Sequence, residues 1–144
     1  MFQLKHPSKQ KTFAIYIAVA WYVLFICLYA LFTAKDRALF EAWRDGISSQ
    51  LTLRDYTAMR TGEMFSSLLI PAGYAVYLYF AVHKMGLTKL AYWVWGLLLF
   101  YTLLMRILLF QWNNVFWWGE LLCLSVIFIL HADIEEKTRR KSRR

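Results

Sequence analysis

The stretch that decides the fold is LAYWVWGLLLFYTLLMRILLFQWNNVFWWGELLCLSVIFILH, residues Leu90–His131. Two long apolar runs, 90–112 and 115–131, are separated here only by Asn113 and Asn114. Each run is close to the roughly 20 helical residues that cross a bilayer core of about 30 Å. Because the connection is so short, the two helices must run antiparallel to each other. This stretch therefore predicts a hairpin of two transmembrane helices.

The rest of the 144-residue chain has a similar composition. Apolar runs at 13–34 and 64–82 are also long enough to span a membrane, and 60% of all residues are hydrophobic. A water-soluble domain of this size cannot bury so much apolar surface. We therefore predict an all-α integral membrane protein with four transmembrane helices, formed by residues 1–144 as a single domain. The run at 13–34 is too long for a signal peptide and lacks a cleavage site of small residues.

Basic residues are concentrated on one side of these four helices. Eleven of the 17 Lys and Arg residues lie in the amino-terminal segment, in the connection at 83–89 or in the tail at 132–144. The connection at 35–63 instead carries five basic and five acidic residues. Because Lys and Arg accumulate on the cytoplasmic side, both termini are predicted to lie in the cytoplasm. We expect a multi-pass protein of the bacterial inner membrane. A protein of the eukaryotic endoplasmic reticulum would have similar hydropathy, and this alternative stays open.

The formal net charge of +8 raises the question of nucleic-acid binding. The basic tail at 132–144 is better explained as a topology signal that also attracts anionic lipid headgroups, so we expect no nucleic-acid partner. The three histidines, His6, His83 and His131, are predicted at the cytoplasmic edge of the membrane, which is a poor position for ligating haem. Both cysteines lie inside apolar runs, and no catalytic motif is present. We therefore expect no cofactor and no metal.

The connection at 35–63 is longer than two neighbouring spans require. Its apolar residues recur at helical spacing between charged ones, which predicts a short amphipathic helix on the outer face of the membrane. The apolar residues of this helix are Leu39, Phe40, Trp43 and Ile47. Asp36 is predicted to cap it, while Thr52 and Asp55 predict a capping box at the start of another helix that continues into the next span. The alternative is a loop that merely connects two spans.

Two charged residues lie inside the predicted hairpin at equal distances from its turn. Arg106 precedes Asn113 by seven residues, and Glu120 follows it by seven. At a rise of about 1.5 Å per residue, both lie roughly 10 Å from the turn and share a depth on adjacent helices. An unpaired charge at that depth costs several kcal/mol, so we expect the two side chains to form an ion pair.

Further polar residues are predicted at the same level, at the outer end of the second span and in the hairpin turn. We predict that these residues form one outward-facing polar cluster beneath the amphipathic helix, where a partner binds. Its members are Arg60, Glu63, Arg106, Glu120, Asn113 and Asn114. The cluster is interpreted either as a clamp that only fixes the hairpin or as a site for a partner helix, a lipid headgroup or an anionic ligand.

Three functions are compatible with this sequence. The first is a small non-catalytic inner-membrane protein that acts by helix contact with a membrane partner, as an accessory subunit or as an inhibitor of the immunity type. The second is a subunit of an oligomeric transporter or channel, since four short helices alone cannot enclose a wide pathway. The third is an outer-leaflet enzyme that modifies lipids, in which the glutamates of the cluster act as acid and base and its arginines hold a phosphate. No metal set, nucleophile or phosphate motif supports the third, and we expect the first.

Overall fold

The computed structural model describes the backbone of residues 8–142 and the side chains of residues 8–134. Five α-helices follow one another in the order α1 (Lys9–Ala34), α2 (Arg37–Ile47), α3 (Leu53–Phe80), α4 (Lys89–Leu108) and α5 (Val115–Ser142). A π-helical turn at Ala81–Met85 extends α3, and no β-strand is present within the described part. Four of these helices are long and apolar enough to cross a membrane. This confirms the predicted all-α fold with four helices that are long and apolar enough to span a membrane, as in a multi-pass membrane protein.

Side chains at the starts of α2 and α3 explain why these helices begin where they do. The Asp36 carboxylate accepts hydrogen bonds from the backbone N–H groups of Ala38 and Leu39, at 3.0 and 3.3 Å. Thr52 and Asp55 form the predicted capping box, in which each side chain accepts a hydrogen bond from the backbone N–H of the other residue. These bonds satisfy N–H groups that the start of a helix leaves without partners. As predicted, α3 begins at the capping box and continues without a break into the second span.

We expect Thr52→Ala to lower the free energy of unfolding by about 1 kcal/mol, because the first turn of α3 loses its side-chain cap. Thr57→Ala is the matched control, since the Thr57 hydroxyl donates to the Leu53 carbonyl inside the helix and caps nothing. Unfolding of the purified protein in detergent, followed by circular dichroism, measures both changes. Equal losses for the two variants would contradict this assignment of the cap.

Two of the other three long helices, α3 and α5, pack directly against α1. This helix lies between α3 and α5, while α4 packs against α5 and less extensively against α3. One apolar cluster, around Ile15, Tyr74 and Ile127, joins α1 to α3 and α5, and a second, around Tyr22 and Leu124, joins α1 to α5. The bundle therefore has an inner helix, α1, and an edge helix, α4.

The two ends of the bundle differ in what they contain. We call one the hairpin end, which carries α2 and the α4–α5 turn at 109–114. The other is the terminal end, which carries the start of α1, the π-helical turn and the turn of α5 around His131. At the terminal end, Lys11 of α1 forms an ion pair with the Asp133 carboxylate and donates to the Asp133 carbonyl at 2.9 Å. Gly86 then ends the π-helical turn with a φ of 70°, a conformation that favours glycine. These features hold the first and last spans together and reverse the chain between α3 and α4.

The turn between α4 and α5 is longer than predicted. α4 ends at Leu108, four residues before the predicted end of the third span at Trp112. The chain leaves the helical conformation at Leu109, where ψ is 47°. The Asn114 side chain then accepts a hydrogen bond from the Phe116 N–H at 3.0 Å, which caps the start of α5. The mainly apolar residues 109–112 made the predicted span too long, because a turn that faces lipid can be as apolar as a helix.

The last helix is also longer than its span. α5 begins at Val115, as predicted, and continues through most of the predicted basic tail at 132–144 to end at Ser142. The side chains of 135–144 lie outside the described residues, and so does most of the tail's basic charge. The prediction that the tail attracts anionic headgroups therefore stays a prediction.

Candidate functional site

Arg106 and Glu120 form an ion pair that joins α4 to α5. Arg106 lies in the last turn of α4, and Glu120, in the second turn of α5, is only 1% exposed. The Trp117 indole also donates to the Arg106 carbonyl at 3.0 Å, which adds a second link between the two helices. The pairing expected from the matched spacing is therefore present. Because α4 ends at Leu108, Arg106 lies nearer to its helix end than the spacing predicts.

The Glu120 carboxylate depends on Arg106 for the compensation of its negative charge. Among the described side chains, its second oxygen, Oε1, is buried and has no hydrogen-bond partner. The Tyr22 hydroxyl of α1 lies near the pair but donates its hydrogen bond to the Ser67 carbonyl of α3, at 3.1 Å. A carboxylate this deeply buried is tolerated only with a compensating charge, and Arg106 supplies it.

Arg60 and Glu63 form a second ion pair within one turn of α3. Arg60 Nη1 lies 2.9 Å from Glu63 Oε2, and Arg60 Nε donates to the Tyr56 hydroxyl at 3.2 Å. Tyr56 is itself fully buried, and its hydroxyl donates to the Thr33 carbonyl at the end of α1. The direction of the Arg60 guanidinium is therefore set by contacts with both α1 and α3.

Arg60, Glu63 and Arg106 line one cavity of about 420 Å³ at the hairpin end. We call it the arginine cavity. It lies between α1, α3 and the end of α4, and its wall also contains the polar side chains of Tyr29, Thr33, Ser66 and Gln111. Glu120 does not line it and reaches it only through its partner Arg106. The structure thus brings three of the six predicted site residues to one cavity and places a fourth against its wall.

Asn113 and Asn114 lie outside the arginine cavity. They line an adjoining cavity, also of about 420 Å³, together with Leu39 of α2. Asn114 caps α5 and donates from its amide nitrogen to Gln111 Oε1 at 2.9 Å, while Asn113 is exposed. The expected single cluster of six residues is therefore divided between two cavities. The reason is the non-helical turn, which carries both asparagines beyond the helix ends.

The helix α2 contributes no described side chain to the wall of the arginine cavity. The rings of Phe40 and Trp43 on α2 instead pack against the ring of Tyr56, at centre-to-centre distances of 5.7 and 5.4 Å. Since Tyr56 also accepts a hydrogen bond from Arg60, α2 contacts the cavity only indirectly.

His131 is the main polar residue whose position the sequence reading missed. It is only 2% exposed and is buried among α3, α4 and α5 at the terminal end of the bundle, and this burial was not predicted. Its Nδ1 is 2.6 Å from the Tyr74 hydroxyl, and its Nε2 is 3.0 Å from the Tyr92 carbonyl. A carbonyl only accepts, so Nε2 carries a proton, and in the neutral ring Nδ1 then accepts from the Tyr74 hydroxyl. Gly96 admits the ring, since a Cβ there would lie 3.2 Å from His131 Nε2.

The other candidate ligands for a metal or haem are scattered. His83 is exposed and lies 2.8 Å from the Tyr79 carbonyl through its Nδ1, whereas His6 lies outside the described residues. Cys27 and Cys123 are both free thiols. Among the side chains of residues 8–134, no three His, Cys, Asp or Glu residues are grouped closely enough to hold a metal ion.

The arginine cavity has several kinds of group on its wall. It combines two guanidinium groups, an exposed carboxylate, neutral hydrogen-bonding groups and an apolar wall, a mixture typical of small-molecule sites of a few hundred Å³. Comparisons of the chain with protein-family models, with curated proteins and with solved structures found no match.

Proposed function

We propose that this chain is a non-catalytic protein of the bacterial inner membrane that acts by helix contact with another membrane protein. In this role it is an accessory subunit or an inhibitor of its partner. The contact surface is the uncovered face of α4, together with the turn that follows it. The observation that carries the proposal is the position of α4 at the edge of the bundle.

The edge position of α4 leaves most of its surface outside the bundle. In the most apolar 18-residue segment of α4, only 6% of the residues are buried inside the bundle. The corresponding segments of the other three long helices are 22–33% buried. Exposed apolar side chains recur every three or four positions along its whole length: Leu90, Trp93, Leu97, Phe100, Leu104 and Leu108. Because lipid is as apolar as these side chains, packing rather than burial decides whether two helices associate. A continuous stripe with bulky aromatic groups suits such packing.

The turn after α4 extends the same surface. Phe110 and Trp112 of the turn and Trp118 in the first turn of α5 are exposed and contact one another, with ring centres 5.6 to 6.4 Å apart. Aromatic residues of this kind dominate the energetics of protein contacts. The Arg106–Glu120 pair then serves the contact by fixing the angle between α4 and α5, which keeps these rings in place.

The charge distribution supports an orientation with the terminal end in the cytoplasm. Basic residues are concentrated at the segments that meet there, as on the cytoplasmic side of membrane proteins generally. The hairpin end then lies on the outer side. In this orientation α2 rests on the outer interface, with its exposed Leu39 and Ile47 toward the headgroups. The tail at 132–144 lies among anionic headgroups of the inner leaflet.

Photo-crosslinking in native membranes tests the contact function. A photoreactive amino acid replaces Leu97 or Leu104 on α4 or, as the control, the exposed Leu69 on α3. We expect both α4 positions to crosslink to one and the same membrane protein, identified by mass spectrometry, and Leu69 not to do so.

The products of this experiment also separate the competing functions. Products that consist of two copies of this chain would replace the proposal with a subunit of an oligomeric transporter or channel. Crosslinks to lipid alone at both α4 positions, or the same protein captured from Leu69, would refute the α4 contact.

A further inference from the structure

We propose that the arginine cavity binds a zwitterionic headgroup that combines a phosphate with a primary ammonium group, the chemistry of phosphoethanolamine. Arg60 and Arg106 hold the phosphate, and Glu63 holds the ammonium group. This inference does not depend on the contact function of α4, because it concerns a different surface. It rests on the unused hydrogen-bonding groups of the cavity, on its charges and on its shape.

The two arginines supply the phosphate side of the site. A guanidinium has five N–H donors, and Arg60 uses two of them, toward Tyr56 and Glu63. Arg106 pairs with Glu120, which does not line the cavity, and it also lies close to the Tyr22 hydroxyl. Donors of both groups are therefore available to a ligand, as judged from the described side chains. Planar guanidinium groups bind phosphate through paired, charge-assisted hydrogen bonds, which are stronger than neutral ones.

Glu63 is what makes a purely anionic ligand a poor fit. It lines the same cavity and is 57% exposed, and only its Oε2 is engaged by Arg60. Its other oxygen, Oε1, accepts no hydrogen bond from any described residue. A phosphate without a cation would lie close to this negative charge, whereas an ammonium group next to the phosphate would pair with it.

The overall charge of the site leads to the same ligand. The formal charges of Arg60, Arg106, Glu63 and Glu120 sum to zero when all four groups are ionised. A zwitterion with no net charge matches this balance, and it leaves no charge uncompensated inside the membrane. A primary ammonium group also donates hydrogen bonds to a carboxylate, which a quaternary ammonium group cannot do.

The position and the wall of the cavity fit a lipid headgroup. Arg106 lies in the last turn of a membrane-spanning helix, where headgroups meet the acyl region. The wall of the cavity also includes apolar side chains, contributed by Ile26, Ala30, Met64 and Leu109. These side chains suit the first carbons of a lipid. Glu120 acts as a positioning residue, because its ion pair fixes Arg106, which lines the cavity.

Native mass spectrometry of the full chain, released from nanodiscs, tests the proposal. The nanodiscs contain equal amounts of phosphatidylethanolamine, phosphatidylcholine and phosphatidylglycerol with identical acyl chains. We expect one retained phosphatidylethanolamine, preferred over phosphatidylcholine by about tenfold, the size expected for one hydrogen bond to a charged group. Glu63→Gln should abolish this preference while phospholipid is still retained, and Arg60→Gln should weaken the retention of both lipids.

Controls keep these outcomes interpretable. Arg44→Gln is the matched control, because Arg44 forms an exposed ion pair with Asp45 on α2, outside the cavity. If Arg60→Gln does not fold, Arg60→Lys replaces it, since lysine keeps the charge but cannot bind phosphate with two parallel hydrogen bonds. All variants are compared with the wild type for their melting temperature.

Free O-phosphoethanolamine identifies the source of the headgroup. If it displaces the bound lipid at micromolar concentration, the soluble compound is the ligand; if it does not, the lipid is. The proposal is overturned if the wild type shows no preference for phosphatidylethanolamine, or if it prefers phosphatidylglycerol. It is also overturned if Glu63→Gln and Arg60→Gln behave like Arg44→Gln.

Discussion

Arg106→Ala lowers the free energy of unfolding by about 3–5 kcal/mol, the range for removing one partner of a buried ion pair. The substitution leaves the Glu120 carboxyl group 1% exposed and without its ionic partner, so it must either remain as an uncompensated charge or take up a proton, and both cost stability. The hairpin also loses the ionic link that sets the angle between α4 and α5. Unfolding in mixed micelles with increasing denaturing detergent, followed by tryptophan fluorescence, measures this loss.

Two comparisons separate charge from packing in this result. The double substitution of Arg106→Met with Glu120→Leu should recover most of the stability, because it removes both charges and fills the space with apolar groups. Arg44→Ala should cost less than about 1 kcal/mol, since its ion pair with Asp45 is exposed to solvent. If the double variant is as unstable as Arg106→Ala alone, the loss comes from packing, and the ion-pair explanation fails.

His131→Ala should give the second large effect and lower the free energy of unfolding by about 2–4 kcal/mol. This is the range expected when a filled core site is emptied and polar groups are left unpaired. The Tyr74 hydroxyl loses its acceptor, and the Tyr92 carbonyl loses a donor. The ring also stacks on Tyr92, with centres 4.6 Å apart and planes inclined by 13°. Three helices meet at this side chain, so its loss should loosen the terminal end as a whole.

A graded series tests this explanation of His131. Tyr74→Phe removes the hydrogen bond to His131 but leaves both rings in place, so we expect the free energy of unfolding to fall by only about 1 kcal/mol. His83→Ala should change stability little, because His83 is exposed. Backbone hydrogen exchange by mass spectrometry, measured on His131→Ala, should show faster exchange at the terminal end than at the hairpin end. Uniform acceleration along α3, α4 and α5 would contradict a local clamp.

Much of the architecture could be predicted from local features of the chain. The length of the apolar runs determines the four spans, because a bilayer accepts only helices of that length. Asp36, Thr52 and Asp55 predicted where α2 and α3 begin, because a helix cap is formed by residues that are close together in the sequence. The Arg106–Glu120 pair was predictable as well, because residues at equal distances from a short turn lie at similar depths on antiparallel helices.

The site was less accessible to prediction. Arg60 and Glu63 lie more than forty residues from Arg106, and only the packing of α1 between α3 and α5 decides that they share a cavity. The length of the α4–α5 turn separates Asn113 and Asn114 from that cavity, and the apolar sequence of the turn gave no sign of a helix end. His131 shows the same limit, since its burial depends on two helices that pack over it.

The sequence by itself determined that the protein has four helices able to span a membrane, where α2, α3 and α5 start, and which two charges in its last hairpin face each other. These properties follow from interactions between near neighbours and from the thickness of the bilayer. Only the tertiary structure decided which polar groups share the arginine cavity, that α4 stands at the edge and that His131 lies inside. Those properties depend on the rotation and contact of whole helices. In lipid, that choice is made by side-chain packing and polar contacts, and hydrophobicity alone does not encode it.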